Sequence, residues 1–405
     1  MRPANLVGGQ AEWNPGFQSA PSQTAGYSSV PTLSPQTIDA TQAAIDDYQR
    51  IVSAGGWAML PPGLALKLGA RGQSVVALRR RLMVTHDLDP SAGLGTIYDS
   101  LVVDAVKRFQ ARHGLDATGE LDRYTVAQMN VPAARRLAQL QLNLVRLKTY
   151  SGDLGTRFVM VDIPAATVET VENGVVFSHH KAGVGRITRQ SPVMKTRALS
   201  VNFNPYWTVP ASIIKKDLIP LMRKNPNYLA DEKIRVFDAK GQEVPANSID
   251  WNSEQATHYR FRQDFGADIN ALGMVRINIA NPYGVYMHDT PEKGIFGDDY
   301  RFVSSGCVRV QNVRTYVDWL LKNTPGMTPQ AIDDALRSGQ RLDVNIADPV
   351  NVYWVYITAW AQPGGIVQFR DDIYQRDGLG PVPMARPTPN QDGTTPGQDQ
   401  QQAQN

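Results

Sequence analysis

The chain has 405 residues, 42% of them hydrophobic and 20% charged, with a formal net charge of +3. That length exceeds one ordinary core and predicts two or three domains, while the near-balanced charge gives nucleic acid no broad electrostatic footprint. No apolar run approaches the roughly 18 residues of a membrane-spanning helix, and the start MRPANLVGGQ lacks the apolar centre of a secretory signal. The expectation is a soluble chain; if it works outside the cytoplasm, its signal lies upstream or has been removed. Cys307 is the only cysteine, so no internal disulfide forms and cysteine usage leaves the compartment unread.

In chain order, residues 1–35 are rich in Gly, Ser, Pro and Gln without apolar periodicity and read as a flexible leader. Residues 36–65 form a helical scaffold segment, in which SPQTIDATQAAIDDYQRIVSA predicts a helix burying Ile38, Ala43, Ile45 and Tyr48. Residues 66–131 form a compact helical module. In it Val75, Leu78 and Leu82 recur three and four apart, Asp99 caps a helix carrying Leu101, Ala105, Val106 and Phe109, and Gly114 ends that helix. Arg79, Arg80 and Arg81 read as the solvated face of a helix. Pro132 opens a linker helix over 132–150 with Leu137, Leu140, Leu144 and Leu147 as its buried stripe.

From Arg157 the period becomes β-like. RFVMVDIP, ATVETVENG, VVFSHHKAGV and RALSVNFNP are short Val- and Phe-rich segments separated by Gly, Asn and Pro. They begin a mainly β domain over 151–382. An insertion of helix and loop interrupts it at about 205–268, and strands resume at GMVRINIAN, YGVYMHDT and GCVRV. Asn312 is expected to cap the helix VRTYVDWLLKN, with further strands at LDVNI, YWVYITAW and GIVQFR. Residues 383–405 read as a disordered tail. The fold class is therefore α+β: a mainly β domain with an inserted helical lid, a small three-helix module and a helical linker.

The chemistry concentrates at two strings. Cys307 lies in SSGCVRV, 19 residues after His288 in YMHDTP. A thiol attacks as thiolate, and an unperturbed cysteine near pKa 8.5 is only about 3% ionised at neutral pH. A histidine that lowers it to about 6 supplies a nucleophile, and His288 is the candidate. Gly306 permits close backbone approach, and Ser304 and Ser305 add polar groups beside the sulfur. Tyr286 and His288 share one strand face, as do Cys307 and Arg309. Arg309 either holds a substrate carboxylate or makes a structural ion pair. Trp207, in NPYWTVP, either contacts substrate from the insertion or packs beneath it. No Cys/His set has zinc spacing, so neither metal nor cofactor is inferred.

The string VVDAVKRFQARHGLDATGELDRYTVAQMN resembles the peptidoglycan-binding type 1 module, which implies a non-catalytic cell-wall anchor. YMHDTP followed by SSGCVRV resembles the catalytic signature of the L,D-transpeptidases, the YkuD-type domain, in the large periplasmic branch. Ser305 stands where many members carry histidine. The resemblance implies Cys307 as nucleophile and His288 as its base, oriented by the backbone carbonyl of Asp289. It further implies an oxyanion site at the Gly306 and Cys307 amides with Ser305, and substrate contacts from Tyr286, Arg309, Ser304 and Trp207. It implies a peptidoglycan tetrapeptide stem as acyl donor, loss of D-alanine, a thioester, and transfer to an amine on a neighbouring stem, with carbapenems as thiol acylators. The acceptor is a second stem or an outer-membrane protein amine. A cysteine peptidase or amidase, and a wall-binding scaffold without catalysis, are the competing readings.

Overall fold

The computed structural model describes residues 28–265 and 269–380. Most of the leader (1–27), residues 266–268 of the insertion and the tail from 381 lie outside the described residues.

Helix α1 (Pro35–Ser53) starts where the Ser34 hydroxyl accepts from the Thr37 N–H at 3.2 Å. It buries Thr37, Thr41, Ala44, Ile45 and Tyr48, so Ala44 rather than the expected Ala43 faces inward. α2 (Gln73–Val84), α3 (Ser100–Arg112) and α4 (Arg123–Met129) close around Val75, Leu78, Leu82, Val106, Phe109 and Met129. Asp99 caps α3 by accepting from Val102 N–H, and Asp122 caps α4 by accepting from Thr125 N–H. The arginine run corrects the sequence reading, because only Arg80 is exposed. Arg79 threads into the module and donates to the carbonyls of Ala92, Gly93 and Ile97 and to Asp99, while Arg81 donates to the Met129 carbonyl and stacks 3.9 Å from the Trp57 ring centroid. Guanidiniums fit such sites because their forked donors saturate loop carbonyls and their faces pack on aromatics. α5 (Ala133–Tyr150) follows Pro132, and with α1 it buries Leu140, Leu144, Ile45 and Tyr48 against Phe369.

The β domain begins with β1 (Arg157–Asp162), β2 (Thr167–Glu172), β3 (Val175–Gly185) and β4 (Met194–Phe203). An inserted lobe then carries β5 (Trp207–Thr208), β6 (Ile234–Phe237), β7 (Glu243–Val244) and β8 (Arg260–Gln263). β9 (Val275–Ile279), β10 (Met287–His288), β11 (Phe302–Ser304), β12 (Val308–Val310) and β13 (Leu342–Val355) complete the main sheet. A hairpin of β14 (Ala359–Ala361) and β15 (Val367–Phe369) docks on α1 and α5.

Among the described residues the main sheet has nine strands in the order β11-β3-β12-β10-β9-β4-β13-β1-β2, and β2 also pairs with β3. That last pairing returns the ladder to its start and leaves few open edges. One face buries Val159, Val201, Ile277, Met287, Val308 and Val310 with the helix Val313–Leu321. Asn312 precedes this helix in a left-handed conformation and makes no capping side-chain bond. Alternation puts Arg276, Tyr286, His288, Cys307 and Arg309 on the opposite face.

The insertion differs from the helix-and-loop expectation. It has its own core, including Ile214, Leu218, Ile234, Val236 and Phe261, beneath a four-stranded sheet ordered β5-β8-β6-β7. Its strands are two to four residues long and place Arg235, Arg260 and Arg262 among the apolar positions, too short a pattern for period two to emerge.

Candidate active site

Two short parallel strands build the site. Met287 of β10 pairs with Val308 of β12 and His288 with Arg309, so the ladder sets Tyr286 level with Cys307 and His288 two pairs farther on. The Val308 N–H donates to the Tyr286 carbonyl at 3.1 Å, fixing that register next to the sulfur. The Tyr286 and His288 rings meet edge to face with centroids 5.6 Å apart. Tyr286 is therefore Cys307's direct neighbour, and its main chain and side chain pull the thiol's pKa down against burial. Trp207 of the inserted lobe pulls the Tyr286 hydroxyl's pKa down, against the larger rise from burial.

The turn before β12 is held from several sides. Gly306 has φ +113°, where a side chain would be strained, and an added Cβ would lie 3.4 Å from Val285 and 3.5 Å from the Gln190 carbonyl. The Ser304 hydroxyl accepts from Gly306 N–H at 3.1 Å and donates to the Cys307 carbonyl at 2.6 Å. Ser304 is thus a buried turn residue, which corrects its expected substrate contact. The Gly306 N–H is likewise spent on Ser304, so the expected oxyanion pair reduces to the Cys307 amide, which has no partner among the described residues.

Three groups from distant loops complete the support. The Ser191 hydroxyl accepts from Gly185 N–H and donates to the Gly306 carbonyl, both at 2.9 Å. Gly185 leaves no room for a side chain, since a Cβ there would be 2.3 Å from the Arg189 carbonyl. Arg189 donates to the Ser305 hydroxyl at 2.8 Å while pairing with Asp217 of the lobe, and so ties the nucleophile turn to the insertion.

Burial sets the proton balance. Desolvation drives the His288 imidazole down to about 3, the Arg309 and Arg276 guanidiniums push the same way, and the Asp289 main chain opposes them. Its Nδ1 is buried without a partner of good hydrogen-bond geometry. Desolvation raises the Cys307 thiol to about 11, against smaller downward pulls from Tyr286, Arg276 and Arg309. A thiolate pre-formed by an imidazole, with a pKa near 6, is therefore not the resting state, and no hydrogen bond joins the two side chains among the described residues. Thiol and imidazole are both neutral at pH 7.

The Asp289 carboxylate accepts from Met274 N–H and pairs with Lys293, so it braces the strand behind His288. Arg309 pairs with Glu292 at 2.5 Å, the ion-pair alternative of the sequence reading. Arg276 was missed. It stands opposite His288 on β9, its guanidinium 4.2 Å from the Tyr286 ring centroid, and the alternation in VRINI signals which face it takes. Ser191 and Arg189 carry no such signal, because only the closed sheet brings them to Gly306 and Ser305.

Residues 156–330 match the family model of the L,D-transpeptidase catalytic domain, YkuD, and residues 71–129 match "Putative peptidoglycan binding domain". A Haemophilus influenzae protein, "Putative L,D-transpeptidase", is 34% identical over 220 residues, covering 54% of this chain and 44% of that protein. The chain thus spans less than half the length of this relative. Among solved structures, an L,D-transpeptidase from Mycobacterium smegmatis is 16% identical over 49% of this chain and 58% of its own, with a TM-score of 0.25. An L,D-transpeptidase (Yku) from Stackebrandtia nassauensis is 15% identical over 75% of this chain and 99% of its own, also at a TM-score of 0.25. The region that surrounds Cys307 and His288 is thus the part of the chain that matches the L,D-transpeptidase catalytic domain.

Proposed function

We propose that the protein acylates Cys307 with a peptidoglycan tetrapeptide stem and passes the acyl group to an amine of a neighbouring stem, making third-to-third crosslinks in the periplasm. One observation carries the reading: Cys307, Tyr286 and His288 lie together on one face of β10 and β12 within a domain of this family. As the sulfur attacks the carbonyl of the third residue, its proton passes to the neutral imidazole of His288. The base must act during attack, because a thiol raised to about 11 is almost un-ionised beforehand. The S–C bond forms, the developing oxyanion meets the Cys307 N–H, and the Arg276 and Arg309 charges favour it. Collapse breaks the C–N bond, and D-alanine leaves with the proton that His288 returns. The acceptor amine then attacks the thioester, gives up its proton to His288 and releases the thiol.

In this reading the Asp289 carbonyl orients His288, Tyr286 hydrogen-bonds the sulfur, and Trp207 with the inserted lobe shields the thioester from water. The helical module over 71–129 brings the enzyme to peptidoglycan. Incubating the full chain with synthetic tetrapeptide stems and weighing the products tests this. Dimers that vanish with Cys307→Ala are expected. Exclusive hydrolysis would make the protein a peptidase, and activity retained by Cys307→Ala would remove the nucleophile.

A further inference from the structure

A cavity of about 300 Å³ opens between the outer face of the main sheet and the inserted lobe, and Arg260, Arg262, Arg276 and Arg341 line it with Asn202 and Tyr206. We propose that it is the subsite that grips the carboxylates of the acyl-accepting peptide, an inference that rests on the transpeptidase reading above.

Four guanidiniums meet two carboxylates there among the described residues. Arg341 pairs with Asp343 at 2.5 Å, and Arg262 lies 3.3 Å from Asp264, which also attracts Arg235 at 3.6 Å. The Arg262–Asp264 contact lacks hydrogen-bond geometry, since both facing atoms are without a partner. Arg260 and Arg276 have no carboxylate partner among the described residues, and the Arg276 Nε is buried unpaired. Concentrating like charges in a partly enclosed space is unfavourable unless an anion arrives, so the cavity suits a ligand with more than one negative group.

The guanidiniums are also held ready. Arg262 stacks on Tyr206 at 4.5 Å and on Phe237 at 4.9 Å, and Arg276 stacks on Tyr286 at 4.2 Å. Stacking occupies the flat faces and leaves the N–H edges to grip carboxylates in pairs.

Position separates acceptor from donor. Arg276 is in register with His288 on one side and with Asn202 on the other. The cavity thus begins two strands from β12, about 10 Å from the nucleophile's strand at the usual spacing. The leaving D-alanine of the donor is one residue from the attacked carbonyl, within about 4 Å, and falls short of it. The acceptor amine must reach the thioester beside the base, and a peptide arriving past His288 lies over β9 and β4, where the arginines stand. A stem peptide carries carboxylates on its second and third residues, which matches the charge.

Dimer formation by the full chain tests this, with acceptor stems whose carboxylates are free or amidated and with D-alanine release reporting acylation separately. Arg260→Gln should raise KM for the free-carboxylate acceptor about tenfold and slow D-alanine release by less than about twofold. Arg260→Lys should recover part of the affinity, and the amidated acceptor should not distinguish wild type from variant. An unchanged KM, an equal rise with the amidated acceptor, or a loss confined to D-alanine release would overturn the subsite alone. A wild-type protein that forms no dimer would overturn the transpeptidase reading and the subsite with it.

Discussion

Replacing Ser191 with alanine tests how the nucleophile turn is held. Ser191 is fully buried, and its hydroxyl is the sole partner among the described residues of both Gly185 N–H and the Gly306 carbonyl, at 2.9 Å each. Removing one oxygen orphans two buried main-chain groups, each costing about 1–3 kcal/mol. Water cannot easily replace it, because backbone atoms stand within 2.3–2.8 Å of where a Cβ on Gly185 would lie. A loss of about 2–6 kcal/mol in the stability of the β domain follows. The freed Gly306 peptide can then rotate, displacing the Cys307 amide, so acylation should slow by about tenfold or more. Urea denaturation followed by tryptophan fluorescence measures the first effect, and the rate of carbapenem adduct formation by intact mass measures the second. A stability change under about 0.5 kcal/mol with an unchanged acylation rate would refute the assigned role.

Two pH effects follow from burial. With its thiol near 11, Cys307 should react with iodoacetamide at a rate that climbs about tenfold per pH unit from 7 to 10. A rate already at its plateau by pH 8 would mean an ionised resting thiol. Asp162 is buried, with Oδ1 accepting from Ile357 N–H and Oδ2 unpartnered, and desolvation raises it to about 8. The folded state therefore holds a proton that the unfolded chain has released above about 3.8, and stability falls between roughly pH 4 and pH 8. Asp162→Asn keeps the Ile357 bond and removes that dependence. Its melting temperature should match the wild type near pH 4 and exceed it increasingly up to pH 8, and a constant offset would contradict the assignment.

Legibility in the sequence tracked how local the determining contacts are. The Asp99 cap and the leucine stripe of α5 lie within a few residues of their partners; the cap appeared where the pattern put it, and Leu140, Leu144 and Leu147 are buried while Leu137 is half-buried. Strict alternation also placed Tyr286, His288, Cys307 and Arg309 on one face, because a strand's two-residue period depends on nothing outside it. The partners of those residues were not legible. Ser191 meets Gly306 across 115 residues and Arg189 meets Ser305 across 116, through pairings that only the closed sheet creates. Burial was misread where charge disguised it: Arg79 and Arg81 fill interior positions because loop carbonyls and Trp57 receive them. The same cause reversed the expected ionisation of the site, since spacing along the chain carries no information on desolvation.

Acyl transfer in this protein depends on Cys307 accepting an acyl group. Intact-protein mass spectrometry after exposure to a carbapenem, comparing wild type with Cys307→Ala, tests it most directly. One stable adduct on the wild type and none on the variant is expected; an unmodified wild type, or an adduct that survives the substitution, would remove Cys307 as the acyl acceptor.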